Sequence, residues 1–333
     1  MKKYLLPTDC NSYKANMHCH STLSDGSMTP EELKETYKSA GYSVLAITDH
    51  EGIFDHSYLD DANFLTIPSY EREINADANC WNNVITCHLC IYPKDRSNIN
   101  TIAYDPEYTH PKFKWLHNAE LKENMTYLGE PYKPYYSVES INYIISEAKK
   151  YGFLVTLNHL QWSQERYGQF SQYKGYDAVE VFNSASACGG LDMDDSLYYD
   201  SLLHLGNKIR CVCADDNHEP HHCFGGWIVI KAPALNHENI MRAFEKGEYY
   251  SSTGPEINEL YVEDGKVHIG TSNVKYIRML TGNRLSKLAK ATDQNGITEA
   301  VFELRGVQDY FRIEIMDNNG NKAYTNAYFE GDF

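Results

Sequence analysis

Ser43-Val44-Leu45-Ala46-Ile47-Thr48-Asp49-His50 is an apolar run that ends in an acid and an imidazole. From Val44 to Ile47 there is no alternation of polar and apolar residues, the pattern of a strand buried on both faces in a parallel sheet. Just upstream, Thr29 as N-cap, Pro30 at the first helical position and Glu32 closing a capping box start a helix that Gly41 ends. Before it, Lys14-Ala15-Asn16-Met17-His18 reads as a first short strand, broken by the turn Ser24-Asp25-Gly26. The unit is therefore strand, helix, strand.

The same unit recurs outward from this stretch. Residues 64–67 and 84–87 read as further strands, and Ser137 caps a helix with Ile141, Ile144, Ile145 and Ala148 on its apolar face, closed by Gly152. Strands follow at 153–157 and 176–182, a helix at 197–205, and strands at 208–213 and 227–230. Strands alternating with helices imply an α/β fold with a parallel sheet, open or closed into a barrel. Two segments break the rhythm. Residues 95–136 have no firm period and read as an insertion, a cap over one face. After about residue 256 the helices stop, and 260–263 and 266–269 flank Asp264-Gly265, a strong hairpin signal. Residues 297–304 and 311–315 alternate apolar with polar, so 256–333 reads as a small antiparallel β-sandwich beside a larger domain over 1–255.

The chain has 333 residues, is 42% hydrophobic and carries a formal charge of −16. A diffuse acidic surface gains nothing from counterion release, which argues against a long duplex nucleic acid as partner. No apolar run approaches the ~18 residues that span a membrane. The first residues lack the apolar core of a signal peptide. Nine cysteines, an odd number and mostly scattered, with Cys87 and Cys90 as one CxxC pair, fit reduced thiols, and so a cytoplasmic protein. Cys19 and Cys213, though inside polar motifs, read as small-residue filler.

The histidines and acids carry the chemistry. His18, His20 and Asp25 follow the first strand, His50 ends the second, and Glu71 and Glu73 follow residues 67–70. His88 and His159 end later strands, and Asp216 and His218 follow the strand at 208–213. Each falls at or just past a strand's C-terminal end, the rim where ligands converge in α/β folds. Imidazoles with carboxylates suit Zn, Mn or Fe rather than Mg or Ca alone. Spaced i, i+2, His18 and His20 lie on one face of an extended segment, as a chelating pair requires. His110, His117, His204 and His268 read as ordinary histidines, and His56 is near the site in sequence only. There is no Gly-x-Ser-x-Gly elbow and no Gly-rich phosphate loop.

At these residues the chain resembles the PHP (polymerase and histidinol phosphatase) family over roughly residues 14–255. His18-Cys19-His20 followed by Ser24-Asp25-Gly26 stands for its first motif, Thr48-Asp49-His50 for its second, and Asp216-Asn217-His218 for its last. Glu71 matches its glutamate, with Ser69 where glycine is usual, His88 its next histidine, and His159 its His-Pro, with Leu160 for proline. The resemblance implies a distorted (β/α)7, TIM-like barrel with a centre of two to three divalent ions (Zn, Mn or Fe). It assigns His18, His20, Glu71 and Asp216 to one ion, Glu71, His88 and His159 to a second, and Asp25, His50 and His218 to a third. The implied activity is hydrolysis of a small phosphorylated substrate, a phosphomonoester or a short oligonucleotide end.

Adjacent metals would lower the pKa of a bridging water and neutralise charge on phosphate oxygens, with Arg72, Lys94, Arg96 and Arg166 as candidate phosphate clamps. The same ligands also suit amide or lactone hydrolysis. A binding module with a structural metal is the reading from another class. The aromatic residues of the insertion, Trp115 among them, are candidates for a face against a base or sugar.

Overall fold

The computed structural model describes residues 2–77, 85–192 and 194–333. Its first helix, Pro30–Ser39, starts as read: Thr29 accepts from the Glu32 amide and the Glu32 side chain accepts from the Thr29 amide. The strand Val44–Ile47 is buried throughout and lies parallel to Asn11–Asn16 on one side and Leu65–Pro68 on the other. These three strands and Trp227–Ala232, antiparallel to the first, make one flank of the site.

A second sheet makes the other flank, in the order Arg210–Ala214, Ala178–Asn183, Phe153–Leu157, Thr86–Pro93, Tyr70–Asn75. Its first three strands are mutually parallel, but Thr86–Pro93 is antiparallel to both neighbours. This corrects the reading of these strands as uniform strand-then-helix repeats. The ten residues between Asn75 and Thr86 are fewer than a parallel crossover requires, so the two strands pair as a hairpin. Val84, read as part of that strand, lies outside the described residues.

The fold is mixed α/β, and the described strands do not close into a hydrogen-bonded barrel. Two isolated parallel bridges join the sheets instead, Cys19 to Asn217 and His50 to Glu71. Both lie just past strand C-termini, among the histidines and acids singled out above. Helices Val138–Lys150, Ser196–His204 and His237–Lys246 cover the outer faces with their apolar sides.

The C-terminal region is β-rich. Asp264 and Gly265 turn the hairpin between Ile257–Glu263 and Lys266–Val274 with φ of 49° and 73°, the double positive φ that a type I′ turn needs. That sheet packs on Tyr276–Thr281 and Tyr310–Met316 over Leu260, Val267, Ile277, Phe311 and Ile313. The larger sheet continues across residue 255, because Lys322–Thr325 pairs with Tyr249–Ser252. At the seam, buried Arg312 makes a two-bond ion pair with Asp200 at 2.6 and 2.7 Å.

Candidate metal centre

The loop after the first strand is shaped by Asp49. Its carboxylate accepts from the amides and hydroxyls of Ser21 and Ser24 at 2.6–3.1 Å, which holds His20 and Asp25 in place. Gly26 is required there, since a Cβ would sit 2.3 Å from the His20 carbonyl oxygen. On the opposite flank His159 and Asp216 have positive φ, 25° and 51°. Such backbone costs on the order of 1–3 kcal/mol and persists only where its surroundings enforce it. Here Glu180 accepts from the His159 amide, and the Asp216 amide donates to the His18 carbonyl.

The nine candidate residues come together. His18 Nε2 lies 3.2 Å from Glu71 Oε1 and 3.1 Å from Asp216 Oδ1, and His20 Nε2 lies 3.3 Å from Glu71 Oε2 and 3.0 Å from Asp216 Oδ1. His88 Nδ1 and His159 Nε2 both face Glu71 Oε1, at 3.2 and 3.3 Å. His218 Nε2 and His50 Nε2 face Asp25 Oδ1 at 3.4 and 3.8 Å, while His50 Nδ1 faces Glu71 Oε2 at 3.4 Å. His20 and His50 thus each stand between two groups of donors, one around Glu71 and one around Asp25.

These residues fit divalent cations. Donors about 2.0–2.2 Å from a shared ion stand about 3.0–3.4 Å apart in octahedral or tetrahedral arrangements, the spacing found around Glu71 and Asp216. Asp25 Oδ1, His50 Nδ1 and Asp216 Oδ1 are buried, and among the described residues they have no hydrogen-bond partner. The electrostatics agree. Burial pushes the His18 and His20 imidazoles down, but Asp216 and Glu71 outweigh it and hold both well above the usual histidine range. Burial likewise opposes charge on Glu71 and Asp216, yet the surrounding imidazoles keep both well below the carboxylate range. The pocket is built to hold positive charge between carboxylates.

Glu73, the other candidate for the Glu71 role, is tied elsewhere: it accepts from Tyr108 and from Asn75 at 3.0 Å. Glu180 was not singled out from the sequence. It is buried and accepts from His18 Nδ1 at 2.6 Å, which turns Nε2 toward the cluster. The signal was present, because a lone carboxylate inside Ala178-Val179-Glu180-Val181 must find partners if the strand is buried.

The four proposed phosphate clamps do not reach the site. Arg72 is buried against Glu51 and the Ala103 carbonyl, Lys94 pairs with Glu245, and Arg96 pairs with Asp60. Arg166 sits exposed before the short helix Tyr167–Phe170, outside the cavity wall. That cavity, about 350 Å³, opens over the centre and is lined by His110, Lys112, Phe113, Trp162 and Glu219 beside the ligands and Glu73. His110, read as an ordinary histidine, therefore belongs to the cavity wall, stacked on Phe113 at 3.9 Å. His56 is buried outside the cluster.

The insertion reaches the centre from the side. Phe113 stacks on His50 with centroids 4.6 Å apart, and the indole of Trp115 donates to the His50 carbonyl at 2.9 Å. Trp115 is buried, which fits the insertion as a cap packing its own aromatics rather than Trp115 as a face for a base or sugar.

A model of the PHP domain family matches residues 16–182, half of the chain. The chain belongs to the PHP domain family. This PHP protein is thus a member of a family of metal-dependent phosphoesterases. A 5′-3′ exoribonuclease of Haemophilus influenzae is 48% identical to it over 40 residues, 12% of this chain and only 15% of that relative's length. Among solved structures, a two-domain protein of Bacteroides vulgatus containing a predicted PHP-like metal-dependent phosphoesterase is 14% identical, with 98% of each chain covered and a TM-score of 0.44. An amidohydrolase of Chromobacterium violaceum with bound sulfate is 12% identical, with 71% of this chain and 96% of that one covered and a TM-score of 0.42. No described helix of the PHP protein is long and apolar enough to cross a membrane.

Proposed function

We propose that this PHP protein hydrolyses small phosphomonoesters, or short oligonucleotide ends, at a centre of two to three divalent ions. The observation that carries the reading is the convergence of nine buried or half-buried donors beneath a cavity of about 350 Å³. One ion would be held by His18, His20, Glu71 and Asp216, a second by Glu71, His88 and His159, and a third by Asp25, His50 and His218. Glu71 bridges the first two sets. Bound there, Zn, Mn or Fe would supply Lewis acidity toward phosphate oxygens and activation of water at neutral pH.

The chain's own residues prepare that chemistry. Glu180 fixes the His18 tautomer, and Ser163 Oγ lies 3.0 Å from His159 Nδ1, aiming the other ring nitrogen at Glu71. Lys112 on the cavity wall offers a cation to a phosphate oxygen. Phe113 and Trp162 line the wall of the cavity beside the buried carboxylates. The cavity suits one small ester, whereas a charge of −16 repels a long polyanion everywhere else.

In this reading residues 1–255 carry the centre, in strands arranged as an opened, TIM-like barrel, and 256–333 form a β-sandwich that braces it. The scattered thiols suit a reducing cytoplasm. The test is elemental analysis of purified protein, followed by phosphate release from sugar phosphates, nucleoside monophosphates and histidinol phosphate with added Mn²⁺. More than one metal equivalent per chain and turnover of at least one ester are expected. Turnover confined to amides or lactones would replace the phosphoryl reading with a carbonyl one. Failure to bind any transition metal would end both.

A further inference from the structure

Trp162 is a large exposed side chain beside the buried donor cluster, 44% accessible and part of the cavity wall. The backbone on either side of it is hydrogen-bonded. Three residues earlier His159 is anchored by Glu180 and by Ser163 Oγ, the Ser163 amide donates to the His159 carbonyl, and the Ser163 carbonyl accepts from the Thr86 amide. The indole stands edge-on to two rings of the cluster, with centroids 4.9 Å from His159 and 5.5 Å from His88. The side chain keeps 44% of its surface open to solvent beside the cavity.

An exposed indole on a cavity wall is a ready platform for a flat ring. Phe113 lines the same cavity but is 1% exposed and already covered by His50 and His110, so it closes a wall and offers little face. On the same cavity wall, Glu219 presents a carboxylate that accepts from hydroxyl or amine groups.

We infer that Trp162 is the specificity residue for the organic half of the ester, and that this half carries a flat ring face stacked on the indole, with the phosphoryl group over the donor cluster. The inference rests on the phosphoesterase reading, and the fluorescence titration tests the stacking face separately from that activity. Its substrate class is ring-bearing esters, whether the ring is a nucleobase or a simple aryl group, as against acyclic ones such as glycerol phosphate.

The experiment uses full-length protein reconstituted with Mn²⁺, as wild type, Trp162→Ala and Trp162→Phe. kcat/KM is measured for adenosine 5′-monophosphate, phenyl phosphate and glycerol 3-phosphate. In the alanine variant the preference for each ring ester over glycerol 3-phosphate should fall roughly 5- to 150-fold, the equivalent of ~1–3 kcal/mol per stacked ring, chiefly through KM. The phenylalanine variant should restore most of it. A fall for only one ring ester tells base from aryl recognition, and both outcomes support the platform. An unchanged preference, or equal losses on all three esters with lost metal, would overturn it in favour of a structural role in holding His159. If no ester is turned over, titration with phenylphosphonate and adenosine decides. Quenching of wild-type fluorescence that disappears in Trp162→Phe supports the platform even though the proposed activity has failed, and no difference between the two proteins overturns it.

Discussion

Glu180→Gln should damage the centre more than any other isosteric change outside its ligands. Glu180 accepts with both oxygens, Oε1 from His18 Nδ1 at 2.6 Å and Oε2 from the His159 amide at 3.0 Å and Asn183 Nδ2 at 3.1 Å. Glutamine has one acceptor. If its amide nitrogen faces His159 and Asn183, donors meet donors in a buried place. If it faces His18, the imidazole must move its proton to Nε2, the atom aimed at Glu71 and Asp216. Leaving one buried donor unpaired costs about 1–3 kcal/mol, and the second arrangement removes a ligand outright. Either way affinity for the first ion should fall by about 10–100-fold, the range for partners that orient a ligating histidine. The assay is competition against a chelator with elemental analysis, alongside circular dichroism to show that the variant is folded. A folded Glu180→Gln protein with wild-type metal affinity would refute the claim that this carboxylate sets the His18 tautomer.

Three further outcomes follow from the same geometry. Glu71→Gln should lose metal by more than the roughly 10–100-fold of an orienting residue, with the fold intact, whereas Glu73→Gln should keep its metal; the reverse order would move the bridging role by two residues. Burial pushes Asp195 up to about 7 from 3.8, with the Gln161 amide opposing and Glu180 and Asp194 adding to the rise. Its contribution to stability is therefore complete below the lower value and lost as pH rises through the upper one, so Asp195→Asn should show a flatter Tm against pH across that window, and a slope equal to wild type would count against it. Asp200→Ala strands the buried Arg312 charge at the seam and should cost about 3–5 kcal/mol in denaturant unfolding; a change near zero would mean that Glu314, 3.9 Å away, suffices.

The sequence was most informative where chemistry is local. Thr29-Pro30-Glu32, Ser137 and Asp264-Gly265 act through neighbours a few residues away, and each starts or turns its element as read. The nine candidate ligands were also visible, because a strand's C-terminal end is a local feature and parallel strands bring such ends to one rim. The direction of Thr86–Pro93 was not visible. An apolar run looks the same whichever way its neighbour runs, and only the length of the preceding connection hinted at a hairpin. Nor was the continuity of the sheet past residue 255, since Tyr249–Ser252 and Lys322–Thr325 meet across some seventy residues of chain with no local mark of their pairing.

The same division runs through the site itself. The side chains that would touch metal advertise themselves as histidines and acids at strand ends, but the groups that aim them do so across strands. Glu180 acts on His18 from a strand in the other sheet, Asp49 on Ser21 and Ser24 from the end of the neighbouring strand, and Asn158 donates to Glu71 Oε1 at 2.6 Å from a third. Each is a buried polar group inside or beside an apolar run, and burial obliges each to find a partner. A lone carboxylate in such a run therefore marks a buried partner, His18 for Glu180 and Tyr276 for Glu314. The criterion thus finds buried partners, and function only where the partner is itself a candidate site residue. Applied to Asp195, buried at the start of Ser196–His204 with the Gln161 amide 3.3 Å away, it ties that acid to the loop bearing Trp162, so its titration is also a probe of how firmly that loop is held.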